Sequence, residues 1–333
     1  MDLKASHLNP VVTFFFLWTA SSMTGSTSSI ALPQPDAANA VEAVVTILYD
    51  NNRFDPQLKT AWGFSCLVLG LEKTILFDTG GDGYTLLDNM RQLGVEPSWI
   101  DIVVLSHIHG DHTGGLGGFL EKNPRVVVYL PRSFPESFKE EVRSTGASVD
   151  EVSRPKKLLA DVYTTGEIGN GIKEQSLVIR TGEGLVIITG CAHPGVVKII
   201  RAARQLAAED MINLVVGGFH LGGAPTSRIE SVVKEFRRLS VQRVAPCHCS
   251  GEETRRLFRL EYGNDYVQSG VGKRITVPKS RANESLLKPE SDHETGTVKP
   301  GKPEVKRPNS SCGRRFLPLF QAGLEEGQIL GIK

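Results

Sequence analysis

Ile102-Val103-Val104-Leu105-Ser106-His107-Ile108-His109-Gly110-Asp111-His112-Thr113-Gly114-Gly115 is the stretch on which the reading of this chain turns. Its first four residues are a continuous apolar run, the pattern of a strand buried on both faces. The run leads straight into three histidines and an aspartate. Imidazole nitrogens and a carboxylate oxygen are the donors that zinc and related divalent ions prefer. His107 and His109 are two apart at a strand end, so both side chains point the same way. Gly110 gives the chain a place to turn before Asp111 and His112. One loop can thus offer two histidines to one ion and the Asp111–His112 pair to another. Thr113-Gly114-Gly115 lets the backbone pass close to the site and start a helix. Strand ends in a packed core seldom carry four ligand-type residues so close together without a metal.

Three further histidines stand in similar settings. His193 lies in Gly190-Cys191-Ala192-His193-Pro194-Gly195, His220 in Gly217-Gly218-Phe219-His220-Leu221, and His248 in Pro246-Cys247-His248-Cys249-Ser250-Gly251. Singly, each would more often be an ordinary loop histidine. Together they put histidines at the carboxyl ends of several strands, where α/β folds gather their sites. His193 and His248 read as metal ligands. His220 reads either as a ligand or as a residue that contacts substrate or supports the ligands. Asp78 ends an apolar run before Thr79-Gly80-Gly81. It reads as a ligand, as a carboxylate that orients the histidine loop, or as a turn residue, the second being preferred. Cys247 and Cys249 flank His248; in an extended segment their thiols would face the core, opposite the histidine. Cys191 has the better claim to lie near the site.

The chain around these motifs has 333 residues and an ordinary 40% hydrophobic content, enough for a full core. Lysine plus arginine is 38 and aspartate plus glutamate 37, a balance that gives no case for a nucleic-acid partner. Lys4, the apolar run Val11–Ala20 and small residues after it make a signal-peptide pattern, expected over 1–22, with no stable membrane span once removed. Residues 23–41 read as a linker and 279–333 as a largely disordered tail, with one apolar patch at Phe316–Phe320. Five cysteines show no disulfide framework. Between these ends, strands are expected at 44–49, 64–69, 74–77, 102–105, 125–130, 176–180, 185–189, 212–216, 241–245 and 274–277. Helices are expected at 84–93, 135–144, 196–208, 227–239 and 252–262. Strands alternating with helices, with hairpins early, suggest two sheets covered by helices.

Leu76-Phe77-Asp78-Thr79-Gly80 and Ser106-His107-Ile108-His109-Gly110-Asp111-His112 resemble the first two motifs of the metallo-β-lactamase superfamily, and His193 and His248 match later ones. The segments around His193, His220 and His248 are similar to the branch containing archaeal dihydropterin ribofuranosylaminobenzene phosphate synthases. The resemblance covers about 42–278. It implies an α/β domain built as a four-layer αββα sandwich. It also implies one or two divalent ions, zinc first, with manganese or iron as alternatives. His107, His109 and His193 would hold the first ion, and Asp111, His112 and His248 the second. Many members have a bridging aspartate where this chain has His220. The branch often has Glu-His-Gly where this chain has Ala61-Trp62-Gly63.

The expected activity is hydrolysis of a small, anionic ester, phosphoester or sulfate ester by metal-activated water. Asp111 would orient the water and shuttle its proton. His220 would stabilise an oxyanion or hold an acidic group. An export signal argues against a pterin-linked synthase, and the expected location is periplasmic or secreted. Two alternatives are an iron-dependent oxidoreductase of the same fold and a non-catalytic exported metal-binding protein. The only partner expected is a small-molecule substrate, and no motif specifies an oligomeric state.

Overall fold

Two apolar hairpins start the domain in the computed structural model, which describes residues 43–278. The expected signal segment, linker, carboxyl-terminal tail and apolar patch at 316–320 lie outside the described residues. β1 (Ala43–Asp50), β2 (Phe64–Leu69) and β3 (Ile75–Phe77) pair antiparallel in order. α1 (Gly83–Gln92) follows, its start capped by Asp82, whose Oδ1 accepts the Thr85 N–H at 2.7 Å. β4 (Ile102–Val104) then leads through α2 (Gly110–Thr113) and α3 (Leu116–Lys122) to β5 (Val127–Pro131). α4 (Glu136–Ser144) and β6 (Ser148–Val152) complete this half. β3, β4, β5 and β6 are parallel neighbours, as helical crossovers require.

The second half begins with β7 (Lys156–Leu159), β8 (Val162–Thr164), β9 (Leu177–Thr181) and β10 (Gly184–Thr189), an antiparallel run. α5 (Val196–Ala207) carries the chain to β11 (Ile212–Gly218), and α6 (Thr226–Arg238) to β12 (Val241–Cys247). β10, β11 and β12 are parallel. After α7 (Glu252–Tyr262), β13 (Arg274–Val277) returns to pair with β1. The sheets are therefore β13-β1-β2-β3-β4-β5-β6 and β12-β11-β10-β9-β8-β7.

Three apolar clusters define four layers. One buries the first sheet against the first helices, with Leu86, Met90, Phe119, Leu120 and Val142. The second lies between the sheets, where Val45, Phe64, Phe77 and Val104 meet Ile179, Ile188, Val216 and Ala245. The third holds α5, α6 and α7 on the second sheet through Ile199, Ile200, Phe236 and Phe258. Each such fully buried side chain is worth about 1.5–3 kcal/mol. The αββα sandwich is thus present.

The expected elements occur with ends displaced by one or two residues. β6, β7 and β8 were not expected. β6 and β7 are sheet edges, largely polar or half-buried, and carry Asp150, Glu151, Lys156 and Lys157. Edge strands keep charge to discourage pairing with other chains, and so lack the apolar alternation that marks a strand in sequence. Gly110 also needs correction: its φ is not positive and a Cβ there would meet nothing within 4 Å, so the turn does not require glycine.

Candidate metal centre

The parallel strands of both sheets end at one edge. β3 releases Asp78, β4 releases the histidine loop, and β10, β11 and β12 release the segments bearing His193, His220 and His248. Four non-glycine residues there have left-handed backbone: Asp78 (φ 54°), Ala192 (63°), His220 (51°) and His248 (47°). Such strain persists only where the surroundings over-determine it, and it concentrates at functional sites.

His107 and His109 face His193. His107 Nε2 is 3.1 Å from His109 Nδ1 and 3.2 Å from His193 Nε2. Behind them, Ser106 Oγ donates to Asp78 Oδ2 at 2.7 Å and lies 2.9 Å from His107 Nδ1. The serine's one proton is committed to Asp78, so His107 Nδ1 carries its own proton and Nε2 turns a lone pair inward. Burial, then the neighbouring His112 and His193, hold His107 well below the usual imidazole range. Burial, then His220 and His109, pull His193 down to about 4. Neutral imidazoles aimed at one point form a cation site.

Asp111, His112 and His248 form a second group, and Cys191 joins them; the four donor atoms lie within 4.8 Å of one another. Asp111 Oδ2 is 3.2 Å from His248 Nε2 and 3.7 Å from His112 Nε2. These two rings hold the Asp111 carboxyl well below its usual range, although burial acts the other way. His112 Nδ1 donates to Asp78 Oδ2 at 2.7 Å and His248 Nδ1 to Asn51 Oδ1 at 3.0 Å. Burial works against a proton on His112, but the Asp78 carboxylate prevails and carries its pKa above the ordinary value. His248 Nε2 is buried, makes no hydrogen bond and faces the group. With Nδ1 donating to Asn51, His248 Nε2 turns a lone pair toward the Asp111 carboxylate 3.2 Å away, and two such electron-rich atoms fit a shared cation.

Asp78 serves both groups from behind. Fully buried, it accepts from the Ser106 N–H (2.6 Å), the Ser106 hydroxyl and His112 Nδ1. Glu174 does the same for the opposite wall. It is fully buried, and its oxygens accept the backbone N–H groups of Cys191, Ala192 and His193 at 2.8–2.9 Å. Burial pushes its pKa up to about 7 against these donors. The sequence reading missed Glu174 and Asn51. Nothing in the local sequence sets either apart, since each acts across more than 15 residues of chain.

Cys249 needs a correction. His248–Ser250 is a tight helical turn rather than an extended segment. Cys247 does face the core between the sheets, but Cys249 turns to the site side, where its thiol donates to Cys191 O at 3.6 Å. His220 packs on His193 with ring centroids 4.3 Å apart and is exposed. His220 shares no donor group with Asp111, His112 and His248, but forms a third one with Cys191 and His193. Trp62, 60% exposed, stands 4.8 Å from the His248 ring.

A family model described as the metallo-beta-lactamase superfamily matches residues 63–197. A 7,8-dihydropterin-6-methyl-4-(beta-D-ribofuranosyl)-aminobenzene-5'-phosphate synthase of Methanocaldococcus jannaschii is 30% identical over 250 residues, 62% of this chain and 85% of the relative. An uncharacterised protein of that organism is 27% identical over 264 residues, 70% of this chain and all of the relative. Among solved structures, a metal-dependent hydrolase of the beta-lactamase superfamily is 29% identical, with a TM-score of 0.61, covering 71% of this chain and all of that one. A metallo-beta-lactamase fold protein from Bacillus subtilis shares the fold at 13% identity, with a TM-score of 0.54 and the same coverage.

Proposed function

The chain belongs to the metallo-β-lactamase superfamily, and from that premise we propose that it is a metal-dependent hydrolase of a small, anionic ester, phosphoester or sulfate ester. One observation carries the reading: the donor atoms of His107, His109 and His193, and those of Asp111, His112 and His248 with Cys191, lie within 4.8 Å of one another in each group at the same strand ends. When bound, one or two divalent ions, zinc first, supply Lewis acidity and make water acidic enough to ionise near neutral pH.

The chain's own residues do the rest. Asp111, half-buried and held ionised, orients the attacking water and takes its proton. His220, beside His193 and exposed, holds the anionic group or the oxygen on which charge develops. No carboxylate is supplied at the His220 position, which favours an anionic substrate. Trp62 offers an exposed face for a ring system next to His248. The amino-terminal pattern supports export to the periplasm or outside the cell; sequencing the amino terminus of soluble protein and finding Met1 would sink that part.

The test is turnover of a panel of p-nitrophenyl esters, phosphodiesters and sulfates by metal-analysed protein. Activity should vanish on chelation and return with metal. His107→Ala should lose metal and at least ~10²-fold in kcat, since Lewis acidity contributes several kcal/mol. If His107→Ala keeps wild-type metal content, the ligand set is wrong. If the loaded protein turns over nothing while binding metal tightly, a non-catalytic metal-binding role takes its place.

A further inference from the structure

We propose that Cys191 is a metal ligand, supplying a thiolate to the second group and completing an Asp111–His112–His248–Cys191 set; this rests on the metal-dependent reading above. Cys191 Sγ is 3.2 Å from His112 Nε2, and it lies within 4.8 Å of the donor atoms of Asp111 and His248. Ligands about 2.0–2.3 Å from one tetrahedral ion stand roughly 3.3–3.7 Å apart, so the Cys191–His112 separation is near that of two ligands on one ion. The position is built. Cys191 is 4% exposed, and its own N–H is fixed by Glu174 Oε1 at 2.9 Å. The segment beside it passes Gly218, where a Cβ would come within 3.2 Å of Cys191 Cα.

Charge points the same way. Asp111 is the only carboxylate in the group, and a thiolate beside it would bring the charge of a bound dication to zero. His220 cannot provide that negative charge, being outside the group and uncharged or positive. Metal binding would displace the thiol proton to solvent, leaving a neutral N2OS site. Such a site is softer than an all-nitrogen-and-oxygen one and selects zinc or cobalt over magnesium or manganese. Cys249 is not part of it: its thiol is turned to the Cys191 carbonyl.

Cobalt(II) loaded into the full-length chain reports sulfur ligation directly through a thiolate-to-metal charge-transfer band in the near ultraviolet. Wild type and Cys249→Ser should show the band. Cys191→Ser and Cys191→Ala should lose it while keeping the wild-type circular dichroism, and their second cobalt equivalent should bind about 10–100-fold more weakly. A band that persists in both Cys191 variants, or that disappears only in Cys249→Ser, overturns the assignment. Cobalt bound by wild type without any band overturns it too, and leaves the hydrolase reading standing. Wild type that binds no cobalt overturns both. The wild-type spectrum stands whether or not the variants fold.

Discussion

Glu174 holds the loop that carries Cys191 and His193 by three backbone hydrogen bonds to one buried carboxylate. Glutamine keeps the shape but turns an N–H toward one of those donors. Glu174→Gln should therefore lose about 1–3 kcal/mol in thermal or urea unfolding. Metal bound through His193 should weaken about 10–100-fold, as for other residues that brace a ligand. The sign of the pH effect follows from burial. A carboxyl whose folded pKa is raised from 4.5 to about 7 costs stability when ionised, so in metal-free protein that cost appears as pH rises through this window. The variant lacks the slope, and its deficit should narrow from pH 4.5 to 7; a constant gap would place the titration elsewhere. Trp62→Ala should raise KM about 2–10-fold with little change in kcat, if the indole face holds the substrate ring. At this scale the sequence disclosed the donors and hid their supports. His107, His109, Asp111 and His112 are adjacent and chemically distinctive. Glu174, Asn51 and the packing of Cys191 against His112 are defined only once distant segments meet.

Glycines separate elements that merely turn from elements that must pass close to the site. At the end of β10, a Cβ on Gly190 would stand 2.1 Å from Ser106 Oγ and 2.9 Å from Asp78 Oδ2. Gly190→Ala must displace the pair that orients His107 and His112, costing about 1–3 kcal/mol by overpacking and lowering metal content. Gly110→Ala, in the histidine loop itself, meets open space and should change unfolding by no more than about 0.5 kcal/mol. Equal effects at the two positions would mean that the β10 end is not where the sheets meet tightly. Long apolar strands and amphipathic helices were legible because burial on one or both faces writes a period into the sequence. β6 and β7 were not, since charged, half-buried edges write none, and β8, three residues between β7 and β9, is too short to write one. The turn at His248 was misread as extended because a left-handed histidine has no sequence signature of its own.

The two donor groups draw on both sheets: Asp78 and the histidine loop from the first, Cys191, His193 and His248 from the second. Protein hydrogen bonds also cross at this edge, from Gln175 to Leu105 O, Tyr129 O and Ser106 O and from His248 to Asn51 and Asp50, and a metal ligated from both sheets adds to them. Bound metal should thus hold the sheets together at the site. Chelation should lower the unfolding temperature, by about 2.7 kcal/mol where metal had stood at 100 times its Kd, or roughly 2–4 °C per kcal/mol in a domain of this size. An unfolding curve indifferent to chelator would show that the sheets need no such clasp. The layered fold was legible from alternation of strands and helices together with the motif resemblance. The return of the last strand to the first was not, since no local pattern tells β13 which partner to choose.

That return has a consequence for how the chain can be rewired. Ala43 and Val277 are direct partners across the β1–β13 ladder, only about 5 Å apart in such a pair. The described residues therefore begin and end at the same doorstep. A few residues spliced from 278 back to 43 would turn the domain into a closed loop of polypeptide. Such a circle, with no free ends to fray, should keep the centre intact and could be reopened at an exposed turn elsewhere without changing what folds.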